Sequence, residues 1–345
     1  MGTLRFYLAV CVFIWHCWIV EHHHVLASFA AVYCFFIMSG FYISMALSQT
    51  YPESTAGTLR FYVNRALRLF PTYLTVLFAT AVAYTVGLVP VPVPGLNDFN
   101  FLVALDQITV LPQVLWRNIT FNTDPPSNTL AIGVYYTVGL EMVFYALAPF
   151  FVRWKLPNLI LLFVASGIVH FIPYMLGLPN RQWQYEFFPS TAVLFIAGSL
   201  SYRLYLAIKD TANRYIGWVM LPGVIAYGAY FDPMAYTNSF EPIALYAAFA
   251  LMMPFLFISS QHPRINKIDK FLGDISYPFY VVHVLAIVIV DGTTNVIAAL
   301  LLAMALAIAL FLLVDHPIEK IRTSIRRARL NKSGYIIPSA VTATP

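Results

Sequence analysis

Long unbroken apolar runs, separated by short basic or proline-rich stretches, dominate this sequence. About 20 consecutive apolar residues are enough to cross a bilayer as a helix. Runs of roughly that length occupy 5–20, 28–47, 69–88, 132–152, 157–177, 188–206, 215–231, 241–259, 276–291 and 295–314. Their apolarity is continuous rather than alternating, which excludes a transmembrane β-barrel. Charged residues make up 10% of the chain, against about 25% in soluble domains, which is too few to cover a water-facing surface. The expected fold class is therefore all-α: a polytopic membrane helix bundle of about ten transmembrane helices. It fills residues 1–332, with a disordered tail over 333–345.

The basic residues assign sides. With the N-terminus in the cytoplasm, eighteen of the 20 Lys and Arg residues fall on the inner face and only Arg117 and Arg181 outside. Such an alternation, loop by loop, is the positive-inside pattern. Both termini are expected to be cytoplasmic, and the pI of 9.0 reflects one membrane face rather than a nucleic-acid partner. The basic stretch from 320 to 332 carries the same signal, with anionic lipid as a secondary contact. An inner loop is expected over 49–68, and an outer proline-rich loop over 89–131, long enough to cap a site. Cys11, Cys17 and Cys34 lie in apolar stretches and offer no disulfide framework or metal spacing. The apolar N-terminus lacks an A-x-A cleavage site and reads as the first span. The hexapeptide Gly-Thr-Leu-Arg-Phe-Tyr recurs at 2–7 and 57–62, too short and too close to be a transporter half-repeat.

Ionisable side chains within spans are costly and are functional candidates by default. At 1.5 Å per residue, His16 lies about 16 Å beyond Arg5, near the midplane. Glu141 and Ser39-Gly40 reach a similar depth from the outer side, and His283 is placed somewhat shallower. Each His or Glu could equally be interhelical glue, and His170 reads as structural. Adjacent His22, His23 and His24 do not share a helix face, so no metal site is expected. Arg65 and Arg68 are i and i+3 and so share a face. Their guanidinium forks suit phosphate, although arginines here could also serve topology alone.

Six segments then resemble those of acyltransferase family 3, in order over nearly the whole chain. They are Arg5 with His16 eleven residues on; Phe35-Phe36-Ile37-Met38-Ser39-Gly40-Phe41; Phe61-Tyr62-Val63-Asn64-Arg65-Ala66-Leu67-Arg68; Thr137 through Glu141 to Phe144-Tyr145; Gly273-Asp274-Ile275-Ser276-Tyr277 with His283; and Asp315-His316-Pro317. Asn64 stands where the family has the first of two paired arginines. The resemblance implies transfer of an acyl group, usually acetyl, from cytosolic acyl-coenzyme A to a hydroxyl of an extracytoplasmic or cell-surface carbohydrate or glycolipid, in the cell (inner or plasma) membrane. His16 is then the catalytic histidine and Glu141 its acidic partner. Arg5, Arg65 and Arg68 hold coenzyme A phosphates, while Ser39, Gly40, Tyr277 and His283 contact substrate. Ser39 or the Gly40 N–H would stabilise the oxyanion, and Asn64 would remove one phosphate ligand. No metal is implied, and acyl-coenzyme A is a cosubstrate. The alternative class is a secondary transporter or glycan flippase.

Overall fold

The computed structural model describes residues 1–17, 28–89, 135–178, 181–230, 241–261 and 266–327. These residues form helices and short connections, with no strand among them. In chain order the helices are α1 Gly2–His16, α2 Ser28–Gln49, α3 Thr55–Thr85, α4 Tyr135–Phe151, α5 Leu156–Met175, α6 Phe188–Ile208, α7 Ile216–Tyr230, α8 Glu241–Ser260, α9 Asn266–Ile289, α10 Val296–Leu310 and α11 His316–Arg327. Seven are long and apolar enough to cross a membrane, and α1, α4 and α7 are shorter apolar helices. Residues 18–27, 90–134 and 328–345, which hold the histidine run, most of the outer loop and the C-terminal tail, lie outside the described residues.

Packing is organised around α2. In its most apolar stretch 83% of residues are buried, against 17% in α5 and in the α10 region. That contrast separates a central helix from peripheral ones. The peripheral helices turn Phe78, Leu161, Val219 and Ile297 outward, more exposed apolar surface than a water-soluble protein carries and the expected face toward lipid.

Small residues allow the helices to approach closely, as in membrane bundles generally. A Cβ on Gly40 of α2 would sit 1.9 Å from the Phe195 carbonyl of α6, and one on Gly198 of α6 would sit 1.9 Å from the Ile37 carbonyl. A similar pair, Gly2 and Gly273, brings α1 against α9. Asp269 of α9 caps α1, accepting from the N–H groups of Gly2 and Thr3 and the Thr3 hydroxyl, orphan donors that every helix start presents.

Two arginines also cap helices. Arg153 Nη2 donates to the Leu47 and Tyr51 carbonyls at the end of α2. Arg203 Nη2 donates to the Val152 and Trp154 carbonyls at the end of α4. Cations at helix C-termini satisfy orphan carbonyls and complement the dipole, so these two arginines serve local structure.

Two expected boundaries are corrected. The inner loop 49–68 is only five residues long. Ser54 caps α3 by accepting from Gly57 N–H at 3.2 Å, and the helix then runs through Arg60, Arg65 and Arg68. The ninth helix likewise starts at Asn266, not 276. Both errors have one cause: the inner turns are amphipathic and fail an apolarity criterion, yet they fold as helix because tertiary contacts hold them.

Candidate functional site: an arginine-lined cavity and a histidine pair

Between α1, α2, α3, α4 and α9 lies a cavity of about 1260 Å³, its open mouth included. It reaches the short turn between α2 and α3 at Thr50 and Tyr51. Each helix contributes one face. From α4 come Thr137, Glu141 and Tyr145, spaced at i, i+4 and i+8, one stripe of a helix. From α9 come Ser276, Tyr277 and Tyr280, and from α2 Phe35, Ser39 and Tyr42.

Three guanidiniums line this space: Arg5, Arg65 and Arg68. Arg5 lies 4.3 Å from the centre of the Tyr42 ring. Arg65 sits beside the Phe61 and Tyr145 rings at 5.7 and 5.8 Å, and its Nε is buried with no hydrogen-bond partner. Arg68 is 3.9 Å from Asp315 and 5.8 Å from the Tyr277 ring. Asp315 also accepts from Thr72. A single-turn π-helix, Phe311–Asp315, precedes α11 and delivers this carboxylate; such turns often mark functional positions.

Glu141 is the carboxylate lining the cavity. Ser39 Oγ donates to its Oε1 at 2.7 Å, and the Tyr145 hydroxyl donates to the same oxygen. Further along, the Thr137 and Tyr280 hydroxyls lie 2.8 Å apart. Arg68 is paired with Asp315, which leaves Arg5 and Arg65 beside one carboxylate that is already hydrogen-bonded. Such an excess, with a buried unpartnered N–H, suits a ligand bearing several negative charges.

The expected pairing of His16 with Glu141 is corrected. Among the described residues no hydrogen bond links them. His16 Nδ1 instead lies 2.8 Å from the Val12 carbonyl and 3.3 Å from His283 Nε2. His283 is therefore level with His16, not shallower, and is fully buried. Neither histidine belongs to the cavity lining. Arg5 and His16 are nevertheless on one face of α1, because eleven residues make three helical turns. The α1 face that offers Arg5 to the cavity carries His16 about 16 Å further along.

Two more expectations change. Gly40 does not line the cavity; its absent side chain makes room for α6. Asn64 does not face it either. It is fully buried, and its Oδ1 accepts from Nε and Nη2 of Arg322, both at 3.2 Å, while Arg322 Nη1 donates to Glu319 at 2.6 Å. The guanidinium beside this point of α3 is thus supplied by α11. Ser39, Tyr277, Arg5, Arg65 and Arg68 do come together. Tyr42 and Tyr280 carry no sequence signal that singles them out, and Tyr145 is given no site role there although it closes a segment that resembles the family's. Tyr145 carried a usable signal, since it follows Glu141 by four residues and must share its face. His170 bonds Ser190 through Nδ1, consistent with a structural role.

The sequence profile of an acyltransferase domain family matches residues 2–316, a stretch that contains every residue of the cavity and both histidines. Neither a curated protein nor a solved structure matches the chain.

Proposed function

From the premise that this chain belongs to acyltransferase family 3 and is a membrane O-acyltransferase, we propose that it moves an acyl group, usually acetyl, from cytosolic acyl-coenzyme A to a hydroxyl of an extracytoplasmic carbohydrate or glycolipid. Family membership sets aside the transporter or flippase reading. In this proposal the protein has ten spans and both ends are cytoplasmic, with α1, α4 and α7 counted among the spans.

The observation that carries the reading is the arginine-lined cavity beside the α2–α3 turn, which the charge bias assigns to the cytoplasmic side. Coenzyme A is a polyanion that lipid excludes, so its phosphates stay with Arg5, Arg65 and Arg68. The pantetheine arm then extends along the cavity past Ser39 and Glu141, toward the level of Tyr280. His16 Nε2 accepts the proton of the acceptor hydroxyl as that oxygen attacks the thioester carbon. The C–S bond breaks, the thiolate leaves, and the proton on Nε2 passes to the sulfur. General-base action of this kind is worth about 10²–10⁴ in rate. Glu141 accepts from Ser39 and Tyr145 and so holds both side chains beside the thioester path.

The test has two arms. Surface glycans from cells with and without the gene are compared by mass spectrometry, and a difference of one acyl group is expected. Purified protein is given acyl-labelled acetyl-coenzyme A and an acceptor glycan isolated from the deficient cells. Transfer is expected from the wild type and not from His16→Ala, while coenzyme A binding persists in both. Wild-type protein that releases no thiol with any short-chain acyl-coenzyme A would refute the donor assignment. Near-normal transfer by His16→Gln would refute the base.

A further inference from the structure

His283 is buried completely on α9, and its proton positions follow from its partners. Its Nδ1 is 2.7 Å from the Tyr280 carbonyl. A carbonyl only accepts, so this nitrogen carries the hydrogen and, in the neutral ring, Nε2 carries the lone pair. The same logic applies to His16, whose Nδ1 is 2.8 Å from the Val12 carbonyl. That N–H is shared with His283 Nε2 at 3.3 Å, leaving His16 Nε2 as the unprotonated nitrogen. The His283 ring is held in turn by Phe279, nearly parallel at 17°, and by the edge contact of Phe13.

We propose that His283 is a positioning residue for transfer: a neutral acceptor that fixes the orientation and tautomer of His16, rather than a substrate ligand. The proposal rests on the reading of His16 as the base. Its complete burial separates it from substrate, whereas His16 is only partly buried. The chemistry also explains why an imidazole rather than a carboxylate fills this position. A buried carboxylate at membrane depth carries an uncompensated charge whenever His16 is neutral, which is costly. An imidazole offers a lone pair without net charge. When His16 takes the acceptor's proton on Nε2, its Nδ1–H remains in place and becomes a stronger donor to His283 Nε2. That bond steadies the transient imidazolium until the proton passes to the departing sulfur.

The test compares wild type, His283→Leu, His283→Asn and His283→Gln as purified full-length protein, with kcat and KM for acetyl-coenzyme A measured per folded enzyme. Gln places an amide oxygen near the position of Nε2, whereas Asn places it near Nδ1, out of reach of His16. In metal sites the loss of a histidine's orienting partner costs about 10- to 100-fold in activity, and a loss of that order is expected here. Leu and Asn are expected to lower kcat by that factor with KM within about twofold, and Gln to recover most of the loss. Asn keeps the comparison open if Leu does not fold. Wild-type kcat in Asn or Leu, a change confined to KM, or equal impairment of Gln and Asn in folded protein overturns the proposal. His16→Ala, measured alongside, separates the two failures. If it transfers normally, the base reading is lost and His283 positioning with it. If it is inactive while His283→Asn is normal, only the positioning is lost.

Discussion

Arg65 and Arg68 lie one turn apart, yet their loss should have different consequences. Among the described residues Arg65 has no ion pair. Replacing it with Ala removes two ring contacts worth about 0.5–2 kcal/mol each, but also a buried N–H without a partner, itself a cost of about 1–3 kcal/mol. The two nearly cancel, so Arg65→Ala should fold with a stability within about 1 kcal/mol of wild type. Its effect should fall on the donor: a charge-assisted phosphate contact is worth about 1.5–3 kcal/mol, or roughly 10- to 150-fold in affinity. Arg68→Ala removes a comparable contact and also strips Asp315, 9% exposed, of its cation. Stranding one member of a buried pair costs about 3–5 kcal/mol, so this variant should lose both affinity and stability. Arg68→Ala combined with Asp315→Asn should recover stability while leaving affinity low. Equilibrium binding of radiolabelled acetyl-coenzyme A to purified protein, with thermal unfolding in the same detergent, separates the two effects. Unchanged affinity in folded Arg65→Ala would refute the phosphate assignment and leave the inner arginines as caps and topology signals.

Glu141→Gln keeps an oxygen able to accept from Ser39 or Tyr145 but loses the charge, so transfer should fall less than in His16→Ala; a loss as complete as that of His16→Ala in a rate assay would mean the charge itself is essential. Gly40→Ala drives a methyl into the Phe195 carbonyl, and overpacking of this kind costs about 1–3 kcal/mol; an unshifted melting temperature would show that α2 and α6 do not meet so closely. Asn64→Leu removes an acceptor of two Arg322 N–H groups and should destabilise by about 2 kcal/mol or more, read as a lower midpoint of thermal unfolding, without weakening coenzyme A binding; weaker binding at unchanged stability would return position 64 to the donor site. Cysteine labelling from outside intact cells should reach Thr293→Cys and not Ser54→Cys, against a background of buried native thiols; the reverse pattern would invert the topology.

The helical class was legible because lipid imposes a one-dimensional requirement: every span must satisfy its own backbone and be apolar over its whole length. The charged candidates were legible for a related reason. Charges at membrane depth are rare, so Arg5, Arg65, Arg68, Glu141 and His16 stand out against their neighbours. Partnership was not legible. Sequence gives depth along a helix but not the rotation of one helix against another, and that rotation decides that His16 meets His283 rather than Glu141. It also decides that Gly40 is taken up by α6, and that Arg322, more than 250 residues distant in sequence, supplies the guanidinium beside Asn64. Helix starts at Thr55 and Asn266 were hidden because their first turns are polar on one face and are held by packing rather than by lipid. Periodicity and charge fixed what each helix brings to the bundle. Close approach at small residues, a three-dimensional property, decided which side chains share a hydrogen bond.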